Sequence, residues 1–201
     1  SPSGRTYFCT SNGLGIAEAG SSVIRVIRHE RDRREGLSHD FVSCALEDSS
    51  GGLWVGTWGR GVDRRNDRRL RLGGQRLRLP GVDDPGFDHI TSVIEDRFGT
   101  VWFGTTRGLV AQPKSGRSPI LFSLVDGVAG GNSSRAGGDA PAQRVLSMCE
   151  GANDRLWVGT GSGLFEVALE SDGSAHVVST HFTAGPPTHL NAVVQDLRGS
   201  L

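Results

Sequence analysis

Polar and aromatic side chains recur at similar offsets along the chain, and their types suit the binding of a carbohydrate. Asp, Asn, His and Arg make directional hydrogen bonds with hydroxyl groups, and an exposed Trp offers an apolar face on which a sugar ring can stack. The residues of this kind are His39, Asp40, Trp58, Arg60, Asp88, His89, Arg107, His189 and Asn191. We expect them to bind a small polar ligand or an oligosaccharide if the fold brings them to one surface.

Motifs for catalysis and for metal binding are missing from the sequence. It contains no G-x-S-x-G, P-loop, H-E-x-x-H or EF-hand pattern. The His residues of the set above lie in separate segments, without the ligand spacing of a zinc site. Cys9, Cys44 and Cys149 form no C-x-x-C pair. We therefore expect no catalytic residue, no metal and no cofactor.

Two pairs of adjacent carboxylates, Glu47-Asp48 and Glu95-Asp96, could in principle serve acid–base chemistry. Each pair, however, stands where an apolar run gives way to a glycine-containing turn. Aspartate commonly accepts hydrogen bonds from the backbone amides of such a turn. The sequence therefore predicts a structural role for Asp48 and Asp96.

The charge balance argues against a nucleic-acid partner. The 201 residues carry 22 Lys plus Arg and 22 Asp plus Glu, for a formal net charge of zero. An Arg-rich piece at 60–78 lacks the interleaved aromatic residues of a nucleic-acid surface, so we interpret it as a solvated strand face. No run reaches the roughly 18 apolar residues that a membrane-spanning helix needs.

A repeated motif determines which elements position these residues. Leu53 to Thr57 (LWVGT) returns as Val101 to Thr105 and as Leu156 to Thr160, and Tyr7 to Thr10 is a degenerate copy. The aromatic residues at 7, 54, 102 and 157 lie 47 to 55 residues apart, a period typical of repeat architectures. The repeated anchor positions are Trp54, Trp102, Trp157, Gly56, Gly104, Gly159, Asp48 and Asp96.

Each repeat predicts four short antiparallel strands. An apolar run ends six residues before each Trp, a polar turn joins it to the motif strand, and a glycine leads into a third strand, as at 108–112 and 163–168. The predicted outer strand at 75–79 alternates Arg with Leu, which discourages edge pairing. The sequence thus predicts an all-β chain, a β-propeller of about four four-stranded blades that is partial at both ends.

The predicted units are 1–37 (partial blade), 38–86, 87–142, 143–187 and 188–201 (start of the next blade). The third of these units contains an insertion at 126–142 that is rich in Gly and Ser. Long insertions are either functional or flexible, so this one is either a lid over the ligand or a mobile loop.

The pattern V-x-x-x-x-E-D-x-x-G-x-L-W-V-G-T-x-x-G-L, at 42–62 and 90–109, resembles the two-component regulator propeller repeat. The chain departs from the pattern at Cys9, at Gly151 and in the insertion between Val125 and Gln143. The resemblance implies a sensor region of bacterial histidine kinases or hybrid two-component sensors. It also implies a toroid of about seven blades on the periplasmic or extracellular side of the membrane, followed by a membrane helix and a kinase.

Strand directions predict where a ligand would bind. Blade strands alternate in direction, so the segment before the first strand and the turn after W-V-G-T lie at one end of a blade, and binding residues often lie in such loops. We therefore expect a non-catalytic sensor whose partners are its ligand, the remaining blades and the kinase module, and which could form a homodimer. The alternatives are a propeller enzyme of the lyase or hydrolase type and a protein-interaction scaffold. Trp58 could instead pack against the next blade.

Overall fold

The computed structural model describes residues 1–30, 36–65, 73–75, 84–122, 124, 143–171 and 174–181. The described elements are strands and one 3₁₀ helix, Pro85–Asp88. The strands are β1 Thr6–Thr10, β2 Gly13–Ala17, β3 Ile24–Ile27, β4 Val42–Glu47, β5 Leu53–Thr57, β6 Val62–Arg65, β7 Gly73–Gln75, β8 Ile90–Glu95, β9 Val101–Thr105, β10 Gly108–Gln112, β11 Ile120–Phe122, β12 Val145–Gly151, β13 Arg155–Thr160, β14 Leu164–Leu169 and β15 Ala175–His181. Within these described ranges, no helix is long and apolar enough to cross a membrane.

Four sheets follow one another along the chain, and each is a simple up-and-down meander. The first sheet has the order β1-β2-β3, and the others have the orders β4-β5-β6-β7, β8-β9-β10-β11 and β12-β13-β14-β15. This topology is that of propeller blades and confirms the predicted fold class.

Most predicted strands coincide with observed ones. The predicted third strands at 108–112 and 163–168 correspond to β10 and β14. Of the predicted outer strand at 75–79, only Gln75 is described, as the last residue of β7. The insertion at 126–142 and the segment 188–201 lie outside the described residues.

The chain divides into two compact units. The first comprises Ser1–Leu77 and Asp84–Val93, and the second comprises Arg78–Asp83 and Ile94–Leu201. The core of the first unit packs β2 against β4 and β5, and includes Leu14, Ile16, Val42, Leu53 and Val55. The core of the second unit includes Trp102, Leu109, Phe122, Leu156, Val158 and Phe165. In each unit the apolar face of one sheet is thus buried against its neighbour, the main favourable contribution to folding.

A buried aspartate fixes the turn between the first two strands of the second sheet. Asp48 Oδ1 accepts hydrogen bonds from the amides of Ser50 (3.0 Å) and Gly52 (2.7 Å), and Oδ2 accepts one from the indole nitrogen of Trp54 (2.8 Å). Asp96 binds its own turn and Trp102 in the same way. The structure therefore supports a structural role for both aspartates, and their partners explain why Asp and Trp recur six residues apart.

The fourth sheet has no aspartate at the position of Asp48 and Asp96. Gly151 takes the position of the aspartate, and a Cβ atom there would lie 2.7 Å from the indole nitrogen of Trp157. Asn153 and Asp154 instead form the turn with positive φ angles of 56° and 59°, the conformation of a tight type I′ hairpin turn.

A glutamate at the end of the first strand of a sheet can bind the neighbouring sheet, as Glu47 and Glu150 do. In the first unit, Glu47 accepts hydrogen bonds from the hydroxyls of Ser3 and Tyr7, which flank the start of β1. In the second unit, Glu150 accepts one from the amide of Arg97 (3.2 Å). The two adjacent carboxylates therefore have different partners: Asp48 bonds to its own turn, and Glu47 bonds to the neighbouring sheet.

The glycine of the W-V-G-T motif allows two sheets to approach closely. A Cβ atom on Gly56 would lie 2.7 Å from Cγ2 of Ile90 and would also clash with Cys44 Sγ. The same packing removes the Cys44 thiol from solvent, and this desolvation raises its pKa to about 12. Cys44 is therefore an unreactive packing group at neutral pH.

Candidate functional site

Three segments of the first unit meet at one end of the second sheet. They are the residues before β4, the turn between β5 and β6, and the residues before β8. The Trp58 amide donates to the Phe41 carbonyl (3.1 Å), and the amides of Gly59 and Gly61 donate to the Asp88 carbonyl (3.0 and 2.9 Å). The alternating strand directions predict this proximity, and the hydrogen bonds fix it.

These segments hold three rings side by side, which we call the aromatic surface: Phe41, Trp58 and His89. The ring centres of Phe41 and Trp58 lie 6.2 Å apart. Trp58 meets His89 edge to face at 4.9 Å, and the two residues also form an isolated antiparallel bridge. Phe41 and Trp58 retain 43% and 36% of their accessible area. Trp58 thus packs on one side and remains accessible to a ligand on another.

The turn that carries Trp58 is longer than its equivalents. In the other three sheets the motif threonine bonds to the carbonyl of a glycine three residues later: Thr10 to Gly13, Thr105 to Gly108 and Thr160 to Gly163. In the second sheet Thr57 bonds to Gly61, four residues later. Gly59 and Gly61 have positive φ angles of 100° and 74°, a conformation that favours glycine. The extra residue makes room for both Trp58 and Arg60.

The 3₁₀ helix positions His89. Its N-cap, Asp84, accepts a hydrogen bond from the Gly86 amide (2.8 Å), and Phe87 is buried beneath it. The His89 amide donates a hydrogen bond to the Gly86 carbonyl (3.3 Å). The Nδ1 atom of the His89 ring lies 3.2 Å from the Pro85 carbonyl oxygen. The imidazole therefore has a fixed orientation beside Trp58.

His39 and Asp40 shape the segment that leads to Phe41. His39 Nδ1 accepts a hydrogen bond from the Phe41 amide (3.0 Å). Asp40 accepts one from the His29 amide through its carboxylate (2.7 Å) and one from Gly13 through its carbonyl (2.7 Å). Both residues lie near the aromatic surface, and their contacts indicate that they support the loop.

Of the remaining predicted ligand-binding residues, two lie in described turns. Arg60 is exposed on the same turn as Trp58, and the side chain of Arg107 is exposed on the corresponding turn of the second unit. His189 and Asn191 lie outside the described residues. Among the residues that the structure describes, no group of three His, Cys, Asp or Glu could hold a metal ion.

Two features of this end of the sheet were not predicted. Phe41 was overlooked, although aligning the repeats at Val42 and Ile90 places it at the same position as His89. The buried threonines of the W-V-G-T motif close each turn through their hydroxyl groups. Their recurrence at the end of every motif was the available signal.

Comparison with protein families identifies the repeats. The family model for the two-component regulator propeller matches residues 36–59, 85–107 and 139–162. Each matched segment spans the first two strands of a sheet and the turn between them. No curated protein matches the chain at a significant level.

Solved structures share the fold over nearly the whole chain. A chain described as the extracellular domain of a hybrid two-component system from B. thetaiotaomicron aligns with a TM-score of 0.70 at 20% identity, covering 98% of this chain and 24% of that one. Virginiamycin B lyase from Staphylococcus aureus aligns with a TM-score of 0.65 at 14% identity, covering 96% and 56%. PorZ, a surface component of the type-IX secretion system of Porphyromonas gingivalis, aligns at 0.59 and 16%, covering 96% and 29%. The chain thus has a β-propeller fold and spans about a quarter of the length of the B. thetaiotaomicron structure.

Proposed function

We propose that this chain, which carries two-component regulator propeller repeats, is the non-catalytic, ligand-binding part of an extracytoplasmic sensor. Its ligand is a carbohydrate or another small polar molecule, bound at the aromatic surface. The repeats match the regulator-propeller model, and a similar structure is described as the extracellular domain of a hybrid two-component system. In such a sensor the propeller would lie outside the membrane and relay binding to a kinase module.

The observation that carries the proposal is the exposure of Phe41 and Trp58 on a rigid frame. Backbone hydrogen bonds hold the three contributing segments together, so these rings are ordered before a ligand arrives. A preorganised aromatic face loses little side-chain entropy on binding. The C–H face of a pyranose ring could stack on Trp58, while the exposed guanidinium of Arg60 offers planar hydrogen bonds to its hydroxyl or carboxylate groups.

Glycan-array screening followed by calorimetry tests this proposal. We expect the wild-type chain to bind one class of oligosaccharide and Trp58→Ala to bind it about tenfold more weakly, a loss of about 1.4 kcal/mol. Phe8→Ala is the matched control, because Phe8 is as exposed as Phe41 but lies on β1. Equal affinity of Trp58→Ala and the wild type would rule out the aromatic surface as the site.

The likeness to virginiamycin B lyase makes catalysis a second candidate. His89 would then be the residue to act as acid or base, since it is the imidazole of the aromatic surface. An enzyme should turn over a bound ligand and lose turnover, but not binding, in His89→Ala. The sensor proposal predicts that the wild-type chain leaves the bound oligosaccharide intact, as mass spectrometry of the recovered ligand would show.

The sensor assignment also has a test that does not depend on the ligand. The proposal predicts a membrane helix and a histidine-kinase core downstream in the full-length protein. Sequencing the DNA that flanks this segment would detect both, and a reading frame that encodes neither would contradict the sensor role.

A further inference from the structure

A carboxylate occupies a position in the second sheet that is apolar in the third and fourth. Aligning the repeats at the glycine before the third strand places Asp63 at the position of Val110 and Phe165. Val110 and Phe165 are fully buried apolar side chains, and Asp63 is also 0% exposed. Burying an ionisable group in an apolar environment is unfavourable unless it is paired, so this substitution calls for a specific role.

The two oxygens of Asp63 have different surroundings. Oδ2 accepts hydrogen bonds from the amide (2.8 Å) and the hydroxyl (3.2 Å) of Ser38. Oδ1 is buried and has no hydrogen-bond partner among the described residues. One carboxylate oxygen of Asp63 is therefore hydrogen-bonded, and its partner, Ser38, lies in another segment of the chain.

That segment, residues 36–41, leads directly to the aromatic surface. Leu37 packs in the core of the first unit at 2% exposure, and Asp40 bonds to His29 and Gly13. Three residues after Ser38, the carbonyl of Phe41 accepts the Trp58 amide. A contact at Ser38 therefore fixes the backbone that carries one ring of the aromatic surface.

We propose that Asp63 is a positioning residue for the aromatic surface, and that it holds segment 36–41 more firmly when protonated than when ionised. The proposal rests on the proposed function only where ligand affinity is concerned. The order of the segment can be measured without a ligand.

The direction of the pH effect follows from burial. Within the described residues, His29 lowers the pKa of Asp63 electrostatically and also bonds to the Leu37 carbonyl (2.7 Å), and the charged Arg65 lies two residues further along the same face of β6. Its cross-strand partners, Val55 and Gly74, carry no charge. Desolvation outweighs the hydrogen bonds from Ser38 and the effect of His29, and raises the pKa of Asp63.

A raised pKa in the folded state means that the folded segment binds a proton more tightly than the unfolded one does. The resulting stability is present below the ordinary pKa of an aspartate and is lost as the pH rises through the raised value. Segment 36–41 should therefore loosen as the pH rises.

Amide hydrogen exchange tests this inference on the whole chain, using protection factors corrected for the intrinsic rate between about pH 4 and about pH 8. His29 and His39 also bond to this segment, at the Leu37 carbonyl and the Phe41 amide, so the effect of Asp63 is measured as the difference between the wild type and Asp63→Asn, which keeps an acceptor for Ser38 but cannot ionise. Asp63→Asn should protect residues 36–41 better than the wild type, and the difference should grow as the pH rises. In Asp63→Val, which has the residue found at position 110, protection should be about tenfold lower at every pH because the Ser38 amide loses its acceptor.

Residues 101–112 serve as an internal control, because they contain no buried aspartate and should show no such change. The same pH dependence for 36–41 in the wild type and in Asp63→Asn would overturn the inference, as would identical profiles in Asp63→Asn and Asp63→Val. Ligand affinity is a separate readout. If no oligosaccharide binds, the proposed function fails, while the exchange result still decides the role of Asp63.

Discussion

Two buried aspartates in the second blade meet opposite electrostatic conditions. Asp48 is surrounded by donors, and although burial alone would raise its pKa, hydrogen bonds from Ser50, Trp54 and Gly52 hold it below the usual value. Asp63 accepts hydrogen bonds from Ser38, its only such partner among the described residues, and burial raises its pKa. At neutral pH an ionised Asp48 therefore stabilises the fold, whereas the buried carboxylate of Asp63 destabilises it.

Removing the carboxylate of Asp48 should destabilise the chain. Asp48→Ala leaves turn amides and the indole of Trp54 without their acceptor, and we expect a loss of about 2 kcal/mol at neutral pH. Because the pKa of Asp48 is lowered, its contribution is present above the ordinary pKa of an aspartate and is lost as the pH falls through the lowered value. The difference between mutant and wild type should thus shrink in acid.

Urea unfolding at neutral and acidic pH would measure both effects. Glu18→Ala is a suitable control in the same unit, since it removes a carboxylate that pairs with Arg5 on the surface, where a pair contributes less than about 1 kcal/mol. An Asp48→Ala variant no less stable than Glu18→Ala would mean that the hydrogen bonds to Asp48 do not stabilise the turn.

The role of Asp48 could be predicted from the sequence, while that of Asp63 could not. Asp48 recurs with a turn and a Trp at constant spacing, so its local partners are implied by the repeat. Asp63 binds Ser38, which is 25 residues away in the segment before β4. Sequence patterns reveal local hydrogen bonds better than those that depend on how a loop folds back over a sheet.

At the level of elements, turn length distinguishes the second sheet from the others. Four strands per repeat follow from apolar runs and glycine positions, and these were predicted well. The 3₁₀ helix was not predicted, because it is too short to show a helical period. Its signals are local: Asp84 as the cap and Pro85 at the first position.

Exchanging turns would separate binding from folding. Replacing residues 58–61 with the sequence of Thr106, Arg107 and Gly108 should restore the shorter turn and remove both Trp58 from the aromatic surface and Arg60 from the turn beside it. We expect a melting temperature within about 5 °C of the wild type and loss of oligosaccharide binding by calorimetry. Undiminished binding in this chimera would show that the longer turn has no part in recognition.

The first sheet should promote self-association. Its outer strand β3 and the residue before it expose Val23, Ile24 and Val26, which retain 69%, 54% and 50% of their accessible area. An apolar edge strand can pair with another chain. We expect the wild type to associate in sedimentation velocity experiments and Val26→Lys to reduce this at equal concentration. An unchanged distribution of species would exclude β3 as the contact.

At the scale of the whole molecule, one unit of sequence is reused in all four sheets. The family model covers three segments of the chain, and the chain spans 24% of the extracellular domain from B. thetaiotaomicron that it resembles. Repetition made the fold predictable, because each copy confirms the others. The proposed binding site is harder to predict from the repeat, because it depends on residues in which one copy differs from the others, such as Trp58.

We propose that Trp58 contacts the ligand, whereas the motif tryptophans hold the blades together. The four tryptophans should give four indole N–H signals in a ¹H–¹⁵N spectrum. During titration with an oligosaccharide found by array screening, we expect a saturable shift of the Trp58 signal. The signals of Trp54 and Trp102, which are bonded to buried aspartates, should stay in place. A ligand that binds without moving the Trp58 signal would show that Trp58 does not contact it.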